Sequence, residues 1–171
     1  DLPFAAPGKV NGNVTYGEAF TVQPFGNSLV TMTLTGAQIY TLLEQQWGAT
    51  QPFPRVLQVS NGFAYSHNFP LPLNANLSAA DGLTFTTSVR GNSYVVAGSV
   101  VIAGVAVDAA ASYRVTVNSF LADGGDIFTV LVGGTNRLGG AVDTDALEAY
   151  LLANPGGIAP GPQNRITRVA P

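Results

Sequence analysis

Cysteine is absent from the 171 residues. That excludes disulfides, thiolate zinc sites and a cysteine nucleophile. Histidine occurs once, at His67, and lysine once, at Lys9. A single histidine leaves no multi-histidine metal site to build, and His67, just beyond an apolar segment, is expected on the surface or in a loop. Charge of either sign is scarce: charged residues make up 10% of the chain and the net charge is −3. Seven scattered Lys and Arg residues do not make the basic surface that phosphate-backbone recognition needs, so no nucleic-acid partner is expected. No apolar run approaches the roughly 20 residues of a membrane-spanning helix. No Gly-x-Ser-x-Gly elbow occurs, nor a Gly-x4-Gly-Lys phosphate loop. Carboxylates are too few for a dinuclear metal site. The residues themselves therefore indicate a binding domain with no catalytic and no metal-ligating set.

What is present is apolar and regular. Hydrophobic residues are 46% of the chain, enough for one domain with a single core. Tyr16 to Val22 reads as a short helix or turn, and Pro24 ends it by disfavouring helical angles at Gln23. Ser28 to Leu34 alternates and is rich in β-branched residues, as a strand does. Thr35 and Gln38 form a capping box, and Ile39, Leu42, Leu43 and Trp47 follow at helical spacing to about Gly48. Trp47 is expected in the core and Glu44 on the solvated face. Val56–Ser60 and Phe63–Ser66 read as a hairpin turned at Asn61-Gly62. Leu83–Val89 and Tyr94–Ile102 read as a second hairpin around Arg90-Gly91-Asn92. Val105–Val107 and Tyr113–Asn118 read as further strands, Ile127–Val132 as a short helix, and Asp143, Thr144 or Asp145 as the cap of a last helix bearing Leu147, Tyr150 and Leu151. The tail from Gly157 is expected to be extended and to pack as an edge. Strands outnumber helices and do not alternate with them. The fold class is therefore α+β, with a mixed, mostly antiparallel sheet and a few packed helices.

Two stretches look like a site. Asn118-Ser119-Phe120-Leu121-Ala122-Asp123-Gly124-Gly125-Asp126 follows a strand and combines an aromatic, two glycines and a carboxylate. Gly124 and Gly125 permit close approach of backbone or ligand. Asp126 either N-caps the next apolar run or points with Phe120 into a pocket. Gln23-Pro24-Phe25-Gly26-Asn27 stands in the same way directly before a strand. A lone Phe is more often core than ligand platform. Two exposed rings, however, can sandwich a planar heterocycle, Asn27 can donate to and accept from a base edge, and Asp126 can accept from ribose hydroxyls.

These two stretches, in this order, resemble the C-terminal domain of the 5'-nucleotidase family. These metal-dependent hydrolases also include UDP-sugar hydrolases and 2',3'-cyclic nucleotide phosphodiesterases. Val14-Thr15-Tyr16-Gly17, Leu34-Thr35-Gly36-Ala37, Leu57-Gln58-Val59-Ser60 and Tyr113-Arg114-Val115 add to the likeness, which runs from about Gly12 to about Leu151. The resemblance implies that residues 1–171 form a single substrate-binding domain, with an insertion around residues 68–94. It implies that Phe25 and Phe120 sandwich the base, that Asn27 contacts the base and that Asp126 contacts the ribose, in a loop containing Gly124 and Gly125. It further implies a parent nucleotide-catabolising hydrolase outside the cytoplasm: extracellular, periplasmic or at the cell surface. In such a parent an N-terminal metallophosphoesterase domain of the same polypeptide holds two divalent metal ions and hydrolyses the phosphate ester. Asp1-Leu2 resembles the pair that follows the family's phosphate-holding arginine, so the isolated chain is expected to be inactive. The family usually reads Gly-Gly-Asp-Gly where this chain has Gly-Gly-Asp-Ile. Ile127 is β-branched and disfavours positive φ, so a different loop is expected after Asp126. The alternative is a non-catalytic binding or adhesion module on the same fold.

Overall fold

The computed structural model describes residues 12–47, 51, 53–69 and 93–169. The organising strand is β1 (Ser28–Thr35). It lies in the middle of a three-stranded antiparallel sheet, between β5 (Ser112–Asn118) and β6 (Thr135–Val142). Alternation sets its two faces. Met32 and Leu34 are buried, while the hydroxyl of Thr31 on the other face meets that of Thr116 at 2.8 Å.

Thr35 ends β1 and caps α2 (Gly36–Glu44): its hydroxyl accepts from Gln38 N–H, and the Gln38 side chain accepts in return from Thr35 N–H. This is the capping box read from the sequence. The next free helical donors, Gly36 and Ala37 N–H, go to the carbonyls of Ala111 and Ala109. The helix start sits so close to that loop that a Cβ at Gly36 would lie 2.0 Å from Asp108 O. Ile39, Leu42 and Leu43 project into the core, which continues through Trp47, Tyr65, Phe69, Val95, Val100, Val107, Phe128 and Leu131.

A second sheet is built from β2 (Phe63–His67), β3 (Val101–Ile102), β4 (Val105–Ala106) and β7 (Ile166–Arg168), in the order β4-β3-β2-β7. Its one parallel pairing is β2 with β7. The tail thus supplies the edge expected of it. The remaining elements are α1 (Tyr16–Val22), α3 (Ser119–Ala122), α4 (Asp143–Leu152) and two 3₁₀ turns at Gly125–Ile127 and Thr129–Gly133. The fold is α+β with mostly antiparallel pairing, as read from the sequence.

Several expectations are corrected. Val56–Ser60 is not a strand. Its neighbour Arg55 donates its backbone N–H to Gln46 O at 2.8 Å, Leu57 N–H goes to Gln46 Oε1 at 2.7 Å, and Val59 O accepts from Arg165. With its polar groups engaged there, the segment does not pair with β2, although Asn61-Gly62 does turn. Glu44 is not a solvated position: its carboxylate accepts from the backbone N–H of Tyr94 and Val95, at 2.9 and 2.7 Å, and from the Ser93 hydroxyl. His67 is not at the surface but fully buried. Its ring stacks on Trp47 with centroids 4.6 Å apart. Its Nδ1 accepts from Phe69 N–H, which leaves the ring proton on Nε2. Ile127–Val132 forms 3₁₀ turns instead of a helix, and α4 begins without a side-chain cap bond on Val142. Tyr94–Ile102 is strand only at Val101–Ile102, with one isolated bridge from Val95 to His67. Leu83–Val89, Arg90-Gly91-Asn92 and most of the expected insertion lie outside the described residues.

Candidate functional site

The antiparallel register of β1 and β5 pairs Leu29 with Asn118. The segment entering β1 and the segment leaving β5 therefore emerge at the same end of the sheet. This brings Phe25 and Asn27 beside Phe120 and Asp126, far apart in sequence. At that end Asn118 caps α3, its side chain accepting from Leu121 N–H at 2.8 Å. The short helix turns Phe120 outward.

The entering segment is fastened to α4. Asp143 N–H donates to Asn27 O at 2.8 Å, the Thr144 hydroxyl donates to Gln23 O at 2.9 Å, and the Gln23 amide donates to Asp143 Oδ2 at 3.0 Å. The Gln23 amide, then the backbone N–H groups of Thr144 and Asn27, hold the Asp143 carboxyl below its ordinary pKa against the opposing effect of burial. Between these anchors Pro24, Phe25 and Gly26 bulge outward, with Gly26 at φ 63°. Phe25 is left 68% exposed and Phe120 51% exposed. Neither ring is a core ring, whereas Phe128, 1% exposed, packs beneath them.

Phe25, Asn27, Phe120 and Asp126 line one open cleft of about 570 Å³, floored by Val56, Leu57, Leu121 and Phe128. Asn27 also meets the Ser119 hydroxyl at 3.4 Å. The two glycines do not line this cleft. They line a shallower depression behind Phe120, and each is needed for its own reason. Gly124 has φ 88°, and a Cβ at Gly125 would lie 2.6 Å from Cε1 of the Phe120 ring. Gly125 therefore backs the ring against which a flat ligand would stack.

Asp126 does not cap a helix. It sits inside the first 3₁₀ turn at φ 52°, ψ 28°, and Ile127 follows at φ 65°. The expectation of a different loop after Asp126 rested on the reluctance of a β-branched residue to take positive φ. Here Ile127 takes it nonetheless. Asp126 has a partner that sequence reasoning missed: Arg55 donates from a terminal guanidinium nitrogen to Asp126 Oδ1 at 2.7 Å. The guanidinium lies over the Phe53 ring, 4.5 Å from its centroid. Arg55 is the one cation lining the cleft among the described residues. The only sequence signal for it was an arginine beside a strand-like, proline-rich stretch.

The arrangement offers two apolar faces, an amide that donates and accepts, a carboxylate and one cation. That is chemistry for holding a planar polar ligand. Among the described residues no three His, Cys, Asp or Glu side chains cluster closely enough to hold a metal ion, and no helix is long and apolar enough to cross a membrane.

Comparison with known proteins gives a consistent result. The chain is 27% identical to an apyrase of Anopheles gambiae over 145 residues, which is 82% of this chain and 22% of the apyrase. It is 34% identical to a cell wall protein of Listeria monocytogenes over 117 residues, 68% of this chain and 12% of that protein. The crystal structure of a 5'-nucleotidase precursor from Thermus thermophilus superposes with a TM-score of 0.64 at 30% identity, over 91% of this chain and 28% of that one. The chain thus spans less than a quarter of either curated relative. Residues 2–133 match the 5'-nucleotidase C-terminal domain, and the chain belongs to that family.

Proposed function

We propose that this chain is the nucleoside- or nucleotide-binding specificity domain of a secreted, metal-dependent 5'-nucleotidase-like phosphohydrolase. The observation that carries this reading is the convergence of Phe25, Asn27, Phe120 and Asp126 on one cleft at one end of a sheet. Its volume of about 570 Å³ suits a small molecule. The base stacks between the two rings, Asn27 reads a base edge, and Asp126 accepts from the ribose hydroxyls. Hydrolysis belongs to an N-terminal metallophosphoesterase domain of the same polypeptide, with two divalent metal ions. The contribution of this chain is to hold the nucleoside so that its phosphate reaches that centre, a proximity effect. The likeness to a cell wall protein supports a location outside the cytoplasm or at its surface.

The test is a titration of the labelled chain with adenosine, followed by NMR. Two stacking faces and a few hydrogen bonds, less ordering costs, correspond to a dissociation constant on the order of millimolar. Shifts are expected at Phe25, Asn27, Phe120 and Asp126. Phe25→Ala and Phe120→Ala should each weaken binding by about 1–3 kcal/mol. A non-catalytic adhesion module would leave these resonances unmoved, and shifts confined to another surface would refute the cleft.

A further inference from the structure

The turn that carries Asp126 is held from outside. Two successive side-chain-bearing residues at positive φ, Asp126 and Ile127, are unfavourable for an unsupported loop. Support comes from the segment after α2. Gln51, buried, donates its amide to Asp126 O at 2.6 Å. Arg55 donates to Asp126 Oδ1 at 2.7 Å. One contact therefore fixes the backbone of Asp126 and the other fixes the rotation of its carboxylate. The segment is itself anchored through Gln46, whose carbonyl takes Arg55 N–H and whose side chain takes Leu57 N–H. Gln45 completes the clamp, with its amide on the Thr129 hydroxyl and its side-chain oxygen accepting Val130 N–H.

The Arg55–Asp126 pair is about one-third exposed on both sides, so it adds little to stability. Its consequence is geometric. With Oδ1 turned to Arg55, no hydrogen bond among the described residues engages Oδ2, and Asp126 is one of the residues that line the cleft. A hydrogen bond to a charged acceptor depends steeply on such placement.

We propose that Arg55 and Gln51 are positioning residues for Asp126, and that through it they set the preference of the cleft for ligands with ribose hydroxyls over ligands without them. This rests on the nucleoside reading above. The test compares adenosine with 2',3'-dideoxyadenosine on the 171-residue chain, by NMR titration, for the wild type, Arg55→Met, Arg55→Lys and Gln51→Leu. The wild type should prefer adenosine by about tenfold, as for one lost hydrogen bond to a charged group. Arg55→Met should reduce that preference to less than threefold, while dideoxyadenosine still shifts the Phe25 and Phe120 resonances, which shows that the stacking cleft is intact. Arg55→Lys should restore part of it, and Gln51→Leu should act like Arg55→Met. A full wild-type preference in Arg55→Met would overturn the proposal. So would a rise in adenosine affinity, since Arg55 would then be competing with the ribose. A wild type that binds both ligands equally would overturn it together with the ribose role of Asp126. A wild type that binds neither would overturn the nucleoside reading itself.

Discussion

Ile127 occupies backbone space that L-residues avoid, at φ 65°, next to an aspartate that does the same. Left-handed backbone costs an L-residue roughly 1–2 kcal/mol. Glycine avoids that cost but loses about 0.5–1 kcal/mol through its freer unfolded chain. At 40% exposure the Ile127 side chain is only partly covered, so its removal sacrifices less packing than that of a core residue. Ile127→Gly should therefore raise the melting temperature by about 1–4 °C, the shift that a net gain of roughly 0.5–1 kcal/mol gives at this size. Thermal unfolding followed by circular dichroism checks this, and a lower melting temperature would show that the turn is not strained. At this scale the sequence was partly legible. Phe25 and Phe120 could be singled out because each stands beside glycine at an element boundary. Arg55 could not, because nothing within its own neighbourhood points to Asp126, which is 71 positions away. The role of Gly125 was also hidden: it is set by a ring that only the tertiary structure places against it.

Local elements were legible where a side chain satisfies a nearby backbone group. The capping box of Thr35 and Gln38 is such a case, and so is the alternation of β1. Val56–Ser60 was misread because its composition suits a strand while its hydrogen bonds go to Gln46 and Arg165. The junction of α4 with the Gln23–Asn27 segment makes a prediction of its own. Asp143 has its folded-state pKa lowered, first by the Gln23 amide. Its contacts therefore stabilise fully above the unfolded value of about 3.8 and are lost as pH falls through the lower, folded value. Asp143→Asn should accordingly be less stable than the wild type near neutrality, and the gap should close in strongly acidic buffer. Urea midpoints measured across that range would check the sign. A gap that persists at low pH would mean that the carboxylate charge is not what fastens Phe25 and Asn27 in place.

For the molecule as a whole, the pairing of a buried His67 with Trp47 joins the second sheet to α2 through its C-terminal turn. Burial lowers the pKa of this histidine below 6.5, and the nearby Arg168 lowers it further. Below pH 6.5 the unfolded chain takes up a proton that the folded chain refuses, so stability should fall as pH is lowered through the window between the two values. His67→Phe should flatten that slope, whereas an unchanged slope in the variant would assign the acid sensitivity elsewhere. Burial of His67 was illegible because it depends on β7, which pairs Ile166, Thr167 and Arg168 with Tyr65, Ser66 and His67. That pairing also has a consequence in time. Synthesis at about 5–20 residues per second separates the appearance of β2 from that of β7 by roughly 5–20 s. For that interval β2 has a bare edge, and another nascent copy can pair with it. The strand that completes the second sheet is thus the last to arrive, and slower translation after β2 lengthens the period in which the chain is open to aggregation.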